Sequence, residues 1–278
     1  MVALPDDETK FQTVEVDGQQ MRVAVRAGDG ERWPLLLING IGANLELLQP
    51  FVDALDGGIE TIRVDLPGTG GSPAPVIPYR PPGLAKLLAR LLHRLAYPEV
   101  DVLGISLGGI IAQQFAREHQ DRCRRLVLVS TATGATMVPG RPSALVAMLT
   151  PWRYSDPAHM AEIAPQLYGG RVRENPELIA LHGKAIRSAG ALGYYSQLLG
   201  ITGFTSIHWL HRLRQPTLIL SGTDDPIVPL VNAKIMARLI PNARLHVFED
   251  GHLGLLTSAD VLAPVVRHFL TEAEAPNA

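Results

Sequence analysis

The sequence predicts an α/β protein, a mostly parallel sheet flanked by helices and interrupted by a helical insertion. Short apolar runs alternate with amphipathic helical patterns in the first half, the pattern lapses over residues 134–211, and it then resumes. Alternating strands and helices imply parallel strands joined by right-handed crossovers. In "VLGISLGGIIAQQFA" (102–116) a serine between two glycines stands where an apolar run turns into a helix, which is a strand–turn–helix junction.

In chain order, "TVEVDG" and "QMRVAVRAG" alternate as an antiparallel hairpin with Asp17-Gly18 near the turn. "PLLLING" (34–40) is continuously apolar, as a strand buried on both faces should be. "IETIRVDLPG" reads as a strand stopped by Pro67 and Gly68. Leu84, Leu87, Leu88, Leu91, Leu92 and Leu95 recur at helical spacing between Lys86, Arg90 and Arg94, giving an amphipathic helix. "VDVLGIS" and "RLVLVSTA" are the next strands, with a helix between them. After the insertion come the strand "PTLILSG", a helix over 231–239, the strand "ARLHVFEDG", and a last helix. Its inward stripe is read as Val261, Leu262, Val265, Val266, Phe269 and Leu270. The core is therefore expected in two parts, 1–133 and 212–278, around a cap at 134–211.

Composition excludes several classes. With 46% hydrophobic and 19% charged residues over 278 positions, the chain can bury a sizeable core. A net charge of −2 and the lack of a dense Lys/Arg block speak against nucleic-acid binding. Cys123 is the only cysteine, so no intrachain disulfide can form. The start "MVALPDDETK" lacks the pattern of a secretory leader, and no apolar run reaches membrane-spanning length. The expectation is a cytoplasmic protein with no integral membrane association.

Gly104-Ile105-Ser106-Leu107-Gly108 fits G-x-S-x-G, the turn that presents a nucleophilic serine. Its glycines spare a tight turn from Cβ clashes, and the helix behind it aims free N–H groups at the same place. A serine hydroxyl needs a base and an acid, expected in the order Ser, Asp or Glu, His, on loops after strands. Of nine histidines, His252 is the one just past a late core strand. His246 lies within that strand, and the His208/His211 pair has no third ligand nearby to make a metal site. Asp225, after "PTLILSG", is the candidate acid. Asp224 is read as a turn residue, and the side chain of Asp250 should point elsewhere along its turn. The oxyanion donors are expected at the N–H groups of Leu107 and Ile41, with Asn39 and Gly40 beside the substrate.

The elbow, "DLPGTGGS", "GTDDPIVPL" and "EDGH" resemble the α/β-hydrolase superfamily. "NGIGANLELLQPFVDAL", "YRPPGLAKL", "AQQFA", "TATGATMVPG", "SIHWLH" and "PNARLHVFEDGHL" are similar to the intracellular medium-chain-length poly(3-hydroxyalkanoate) depolymerases. The likeness covers nearly the whole chain. It implies an eight-stranded α/β-hydrolase fold with a helical cap. It also places nucleophile, acid and base on Ser106, Asp225 and His252, the positions reached above from the residues alone. One position departs from the family: a tryptophan follows the nucleophile there and Leu107 here, which bears on the wall of the acyl pocket.

The resemblance implies a serine esterase that releases 3-hydroxyalkanoates from a polyester, needs no metal or organic cofactor, and works at the polyester granule surface. The insertion should form an apolar lid, with Met137, Met148, Trp152, Tyr154, Tyr194, Tyr195, Leu198, Leu199, Phe204 and Trp209 available to it. Of these, Trp152, Tyr194 and Trp209 are the candidate substrate contacts. Two alternatives use the same residues differently: a carboxylesterase of small acyl esters, and a non-catalytic granule-binding protein on a hydrolase scaffold. Dehalogenases and epoxide hydrolases want an aspartate where Ser106 stands.

Overall fold

The computed structural model describes residues 9–149, 151–152, 156–175, 178 and 190–273. Eight strands form one sheet: β1 (Thr9–Val16), β2 (Gln19–Arg26), β3 (Leu35–Ile38), β4 (Thr61–Val64), β5 (Val100–Ile105), β6 (Cys123–Val129), β7 (Thr217–Gly222) and β8 (Ala243–Phe248). Their order is β1-β2-β4-β3-β5-β6-β7-β8. The β1–β2 and β2–β4 pairs are antiparallel and the other five parallel. The hairpin closes between paired Val16 and Gln19 through Asp17 (φ 53°) and Gly18 (φ 81°). Two consecutive positive φ values match the right-handed twist of the strands.

The continuous apolar runs follow from burial on both faces. Leu36 and Ile38 of β3 join one core cluster, and Leu35 and Leu37 join the other. The first cluster is covered by α2 (Pro81–Arg94) and α3 (Leu107–Glu118), and by α8 (Leu230–Leu239). The second is covered by α1 (Gln49–Ala54), α9 (Gly254–Thr257) and α10 (Ala259–Thr271). In α10 the inward stripe differs from the expected one, and Val265 is only partly buried against it. Val261 is exposed, and Ala259 and Ala263 join Leu262, Val266, Phe269 and Leu270 on the buried face. A residue one position before Leu262 is turned about 100° away from it.

Between β6 and β7 the described residues form the helices α4 (Pro142–Ala147), α5 (Pro157–Tyr168), α6 (Gly170–Glu174) and α7 (Ala191–Ile201). A third apolar cluster joins Ala144, Met160, Ala164, Leu167, Tyr168 and Val172 of this region to Ile227, Val228 and Leu253 of the core. Asn39, Ser106, Asp225 and His252 all follow the carboxyl ends of parallel strands, the end of such sheets where ligands bind. Among the described residues no helix is long and apolar enough to cross a membrane.

Candidate active site

Ser106 occupies the junction of β5 and α3 at φ 54°, ψ −117°, a conformation that costs a non-glycine residue about 1–3 kcal/mol. Its backbone is fixed on both sides. The Ser106 N–H donates to Val129 O at 3.0 Å, and its carbonyl accepts from Thr131 Oγ1 at 2.7 Å and from Gly109 N at 3.0 Å. The hydroxyl makes no capping bond to the helix it precedes. The flanking glycines answer to close approach. A Cβ on Gly104 would lie 2.2 Å from Gly108 O, and one on Gly108 would lie 2.0 Å from Ile38 O. Gly109 meets the Thr131 side chain in the same way, at 2.5 Å.

Asp225 and His252 come together. His252 Nδ1 lies 2.8 Å from Asp225 Oδ2, and both side chains are almost wholly buried. A carboxylate only accepts, so this bond places the proton on Nδ1 and leaves Nε2 as the basic nitrogen. The other oxygen, Oδ1, accepts from Ile227 N at 2.9 Å and Val228 N at 2.8 Å, which holds the carboxylate in plane. Asp225 is thus fully engaged, in the manner of an acid that orients an imidazole.

The loop after β3 lies against the serine. A Cβ on Gly40 would stand 3.4 Å from Ser106 Cβ. Asn39 is buried, and its Nδ2 donates to Asn44 O at 2.5 Å, so its side chain braces this loop. Ser106 and His252 line one cavity together with Asn39, Gly40, Ile41, Ala43, Leu47, Ile105, Met148, Tyr168, Ile227 and Leu253. Apart from Ser106, His252, Asn39 and Tyr168 its lining residues are apolar. Its volume is about 40 Å³, where a six-carbon ring needs a cavity on the order of 150 Å³.

Other expected contacts lie elsewhere. Trp209 is buried in the core cluster behind α3, edge-on to Phe204 at 6.4 Å, with the Arg117 guanidinium 4.6 Å from its ring centre. Tyr194 is buried too, and its hydroxyl donates to Met148 O at 2.5 Å, which ties α7 to the end of α4. Trp152 is exposed and stacks on His159 at 4.7 Å. None of the three lines the cavity. Trp209 and Tyr194 belong to the packing of the core cluster and Trp152 to the surface. Tyr154 lies outside the described residues. Leu107 packs into the core cluster, so the side chain that departs from the family pattern does not line the cavity. His246 is in β8, and among the described residues no cluster of three or more potential metal ligands occurs.

Two carboxylates set aside on sequence grounds turn out to hold the insertion in place. Asp224 Oδ2 accepts from Gly170 N at 2.8 Å and pairs with Arg173 at 2.5 Å, so it caps the insertion instead of its own turn. Asp250 is buried and accepts from Arg171 N at 2.8 Å, Thr257 Oγ1 at 2.7 Å and Ser258 Oγ at 2.6 Å. Tyr168-Gly169-Gly170-Arg171 is therefore wedged between the loops that carry the acid and the base. The only hint in the sequence is "YGG" after a helical stretch. Tyr168, Ile227 and Leu253 of the cavity wall carry no local signal either, whereas Met148 is one of the apolar residues expected of the lid.

A family model of the alpha/beta hydrolase fold matches residues 34–259. The chain belongs to the α/β-hydrolase family. It is 53% identical over 262 residues to the poly(3-hydroxyalkanoate) depolymerase of Ectopseudomonas oleovorans, covering 94% of this chain and 93% of that one. It is 30% identical to a pimeloyl-[acyl-carrier protein] methyl ester esterase of Aromatoleum aromaticum, over 84% of this chain and 96% of that one. Among solved structures, the enol-lactonase of Burkholderia xenovorans superposes with a TM-score of 0.81 at 24% identity, covering 94% of this chain and all of that one. That neighbour speaks for the hydrolase fold.

Proposed function

We propose that this chain hydrolyses the ester bonds of medium-chain-length poly(3-hydroxyalkanoate) and releases 3-hydroxyalkanoic acids. The observation that carries the reading is a serine on a strained elbow sharing one apolar cavity with a histidine bonded to Asp225. The chain-long identity to a depolymerase supports the choice of substrate.

In this reading Ser106 Oγ attacks the ester carbonyl carbon while His252 Nε2 takes its proton. Asp225 holds the imidazole in the Nδ1–H form and stabilises the imidazolium. The carbonyl oxygen becomes an oxyanion held by the N–H groups of Leu107 and Ile41. His252 returns the proton to the departing alkoxide, and the hydroxyl end of the shortened polymer leaves. Water then attacks the acyl-enzyme, giving its proton to His252, and the acid departs as Ser106 is restored. These steps call for no metal or organic cofactor.

Residues 134–211 act as the cap. A medium-length side chain exceeds the 40 Å³ of the cavity, so productive binding displaces wall residues such as Met148 and Tyr168. Each methylene buried there contributes about 0.8 kcal/mol, so three or four extra carbons favour a pentyl-like group over methyl by on the order of 10². The cap also exposes Val146, Leu149 and Trp152 near one end, and Leu192, Tyr195 and Leu199 along one stripe of α7. These exposed apolar groups suit adsorption to a polyester inclusion, and in this reading the protein works in the cytoplasm at the granule surface.

The test is loss of turbidity in suspensions of medium- and short-side-chain polyester, with Ser106→Ala as the control. Clearing of the medium-chain suspension by the natural chain alone is expected. Turnover of small soluble esters with both suspensions untouched would favour the carboxylesterase alternative. Failure of a fluorophosphonate to label Ser106 would leave the non-catalytic one.

A further inference from the structure

From Gln197 we infer that the insertion reaches into the reaction itself: this side chain positions the oxyanion loop. The inference rests on the ester-hydrolase reading above, because it concerns the loop that carries Ile41.

Gln197 is 5% exposed, in the middle of α7, and its amide spans two core loops. Oε1 accepts from the backbone N–H of Gly42 at 2.9 Å. Nε2 donates to the backbone carbonyl of Pro67 at 3.2 Å. The two partners fix the orientation of the amide, since the N–H can only donate and the proline carbonyl only accept. Gly42 has φ +71° and directly follows Ile41, whose N–H is the second candidate oxyanion donor. The peptide plane after Ile41 is therefore held by a residue 155 positions away, supplied by the cap.

The helix that carries Gln197 is seated at a fixed depth. Positions 193, 197 and 200 share one helical face. A Cβ on Gly193 would lie 2.0 Å from Gly68 O, and one on Gly200 would lie 2.2 Å from Tyr79 O. Backbone contact on either side of Gln197 leaves its amide little freedom. Residues that merely fill space do not need an amide there, since an apolar side chain of the same length would leave no buried donor or acceptor of its own. The backbone N–H of Gly42, however, would lose its partner and the loop its anchor. A donor misplaced by a fraction of an ångström weakens the transition state more than the ground state.

Gln197 is thus a positioning residue, and its effect belongs to the oxyanion. The experiment compares the natural chain with Gln197→Met and Gln197→Glu, using p-nitrophenyl octanoate as substrate, a hexyl trifluoromethyl ketone as oxyanion mimic, and octanoate as ground-state ligand. For Gln197→Met, kcat should fall about 30- to 100-fold with KM changed less than threefold. Affinity for the ketone should fall in step, and affinity for octanoate should stay within twofold. Gln197→Glu keeps an acceptor for Gly42 and should retain more ketone affinity than the methionine variant. If the methionine variant does not fold, Gln197→Glu is read against the natural chain: without the donor to Pro67 it should lose ketone affinity at least about threefold, with octanoate affinity within twofold.

Loss of kcat with ketone affinity untouched, or equal losses for ketone and octanoate, would overturn the positioning role, as would a variant equal to the natural chain. A natural chain that neither turns over the ester nor binds the ketone would overturn the hydrolase reading beneath it.

Discussion

The backbone N–H of His252 donates to the carbonyl oxygen of Tyr168 at 2.8 Å, so the candidate base is anchored to the insertion as well as to its own loop. The next two peptide groups of that strap are held by Asp224 and Asp250. Acid loop, base loop and strap form one bonded unit.

That unit makes Gly170 sensitive. Its φ is +49°, and a Cβ there would stand 2.0 Å from the backbone nitrogen of Gly251. Gly170→Ala should therefore cost on the order of 2–4 kcal/mol, from left-handed strain plus the collision. Because the collision falls beside His252, kcat per titrated active site should drop at least about tenfold. Thermal unfolding and fluorophosphonate titration of the variant check the two halves. Lower stability with an unchanged kcat per site would confine the strap to a structural role.

Strain at the elbow predicts an opposite trade. Ser106 carries a positive φ that glycine adopts freely. Ser106→Gly should abolish hydrolysis and yet raise stability by about 1 kcal/mol, the relief of strain less the entropy of the added glycine. For a domain of this size that is a rise of roughly 2–4 °C in Tm. A lower Tm than the natural chain would mean that the strain is not stored at this residue.

The elements that were legible in the sequence share a physical reason. β3, β5, β6 and β7 are buried on both faces by neighbouring helices, so apolar residues dominate them and the runs stood out, with the charged Asp101, Arg124 and Arg125 confined to the starts of β5 and β6 away from the site. Ser106 and Asp225 were legible because each follows such a strand within a few residues, and His252 because it follows β8, the last strand of the sheet. Gln197, Tyr168 and Gly170 were not. Their roles depend on where the insertion lands, and nothing in "LGYYSQLLG" or "LYGG" states which core loop it meets. The tryptophans misled for the same reason. Size and apolarity mark Trp209 as buried, and only the fold decides that it is buried behind α3.

Asp101 gives a pH dependence that is separate from catalysis. It is nearly wholly buried against Arg124, at 2.5 and 3.0 Å, and burial pushes its carboxyl up to about 6 despite that partner. An acid whose folded value is raised binds its proton more tightly folded than unfolded. Its ionisation therefore costs stability progressively as pH rises from about 4 to about 6, with no further change above. The span corresponds to about 3 kcal/mol. Asp101→Asn cannot titrate, so the stability of the natural chain relative to the variant should fall by roughly that amount between pH 4 and 6.5 and then level off. Paired unfolding curves across this range measure it. A difference independent of pH would place the carboxyl in its ordinary range.

Met148 should set the side-chain length that the enzyme accepts. It lines the cavity beside Ser106, and its carbonyl accepts the buried Tyr194 hydroxyl, so its backbone is fixed while its side chain fills space next to the serine. Truncation leaves that backbone bond intact and enlarges the small, apolar cavity. Met148→Ala should thus raise kcat/KM for esters of ten- to twelve-carbon acids relative to six-carbon ones. A gain of two to three buried methylenes at about 0.8 kcal/mol each amounts to a shift of about 10-fold or more in that ratio. Stability should fall by about 1–2 kcal/mol, less than for a fully buried methionine, because Met148 is only partly buried. A chain-length series of p-nitrophenyl esters reads the ratio directly. An unchanged preference would mean that the acyl chain leaves the serine along another wall, with Leu47 and Leu253 the next residues to truncate.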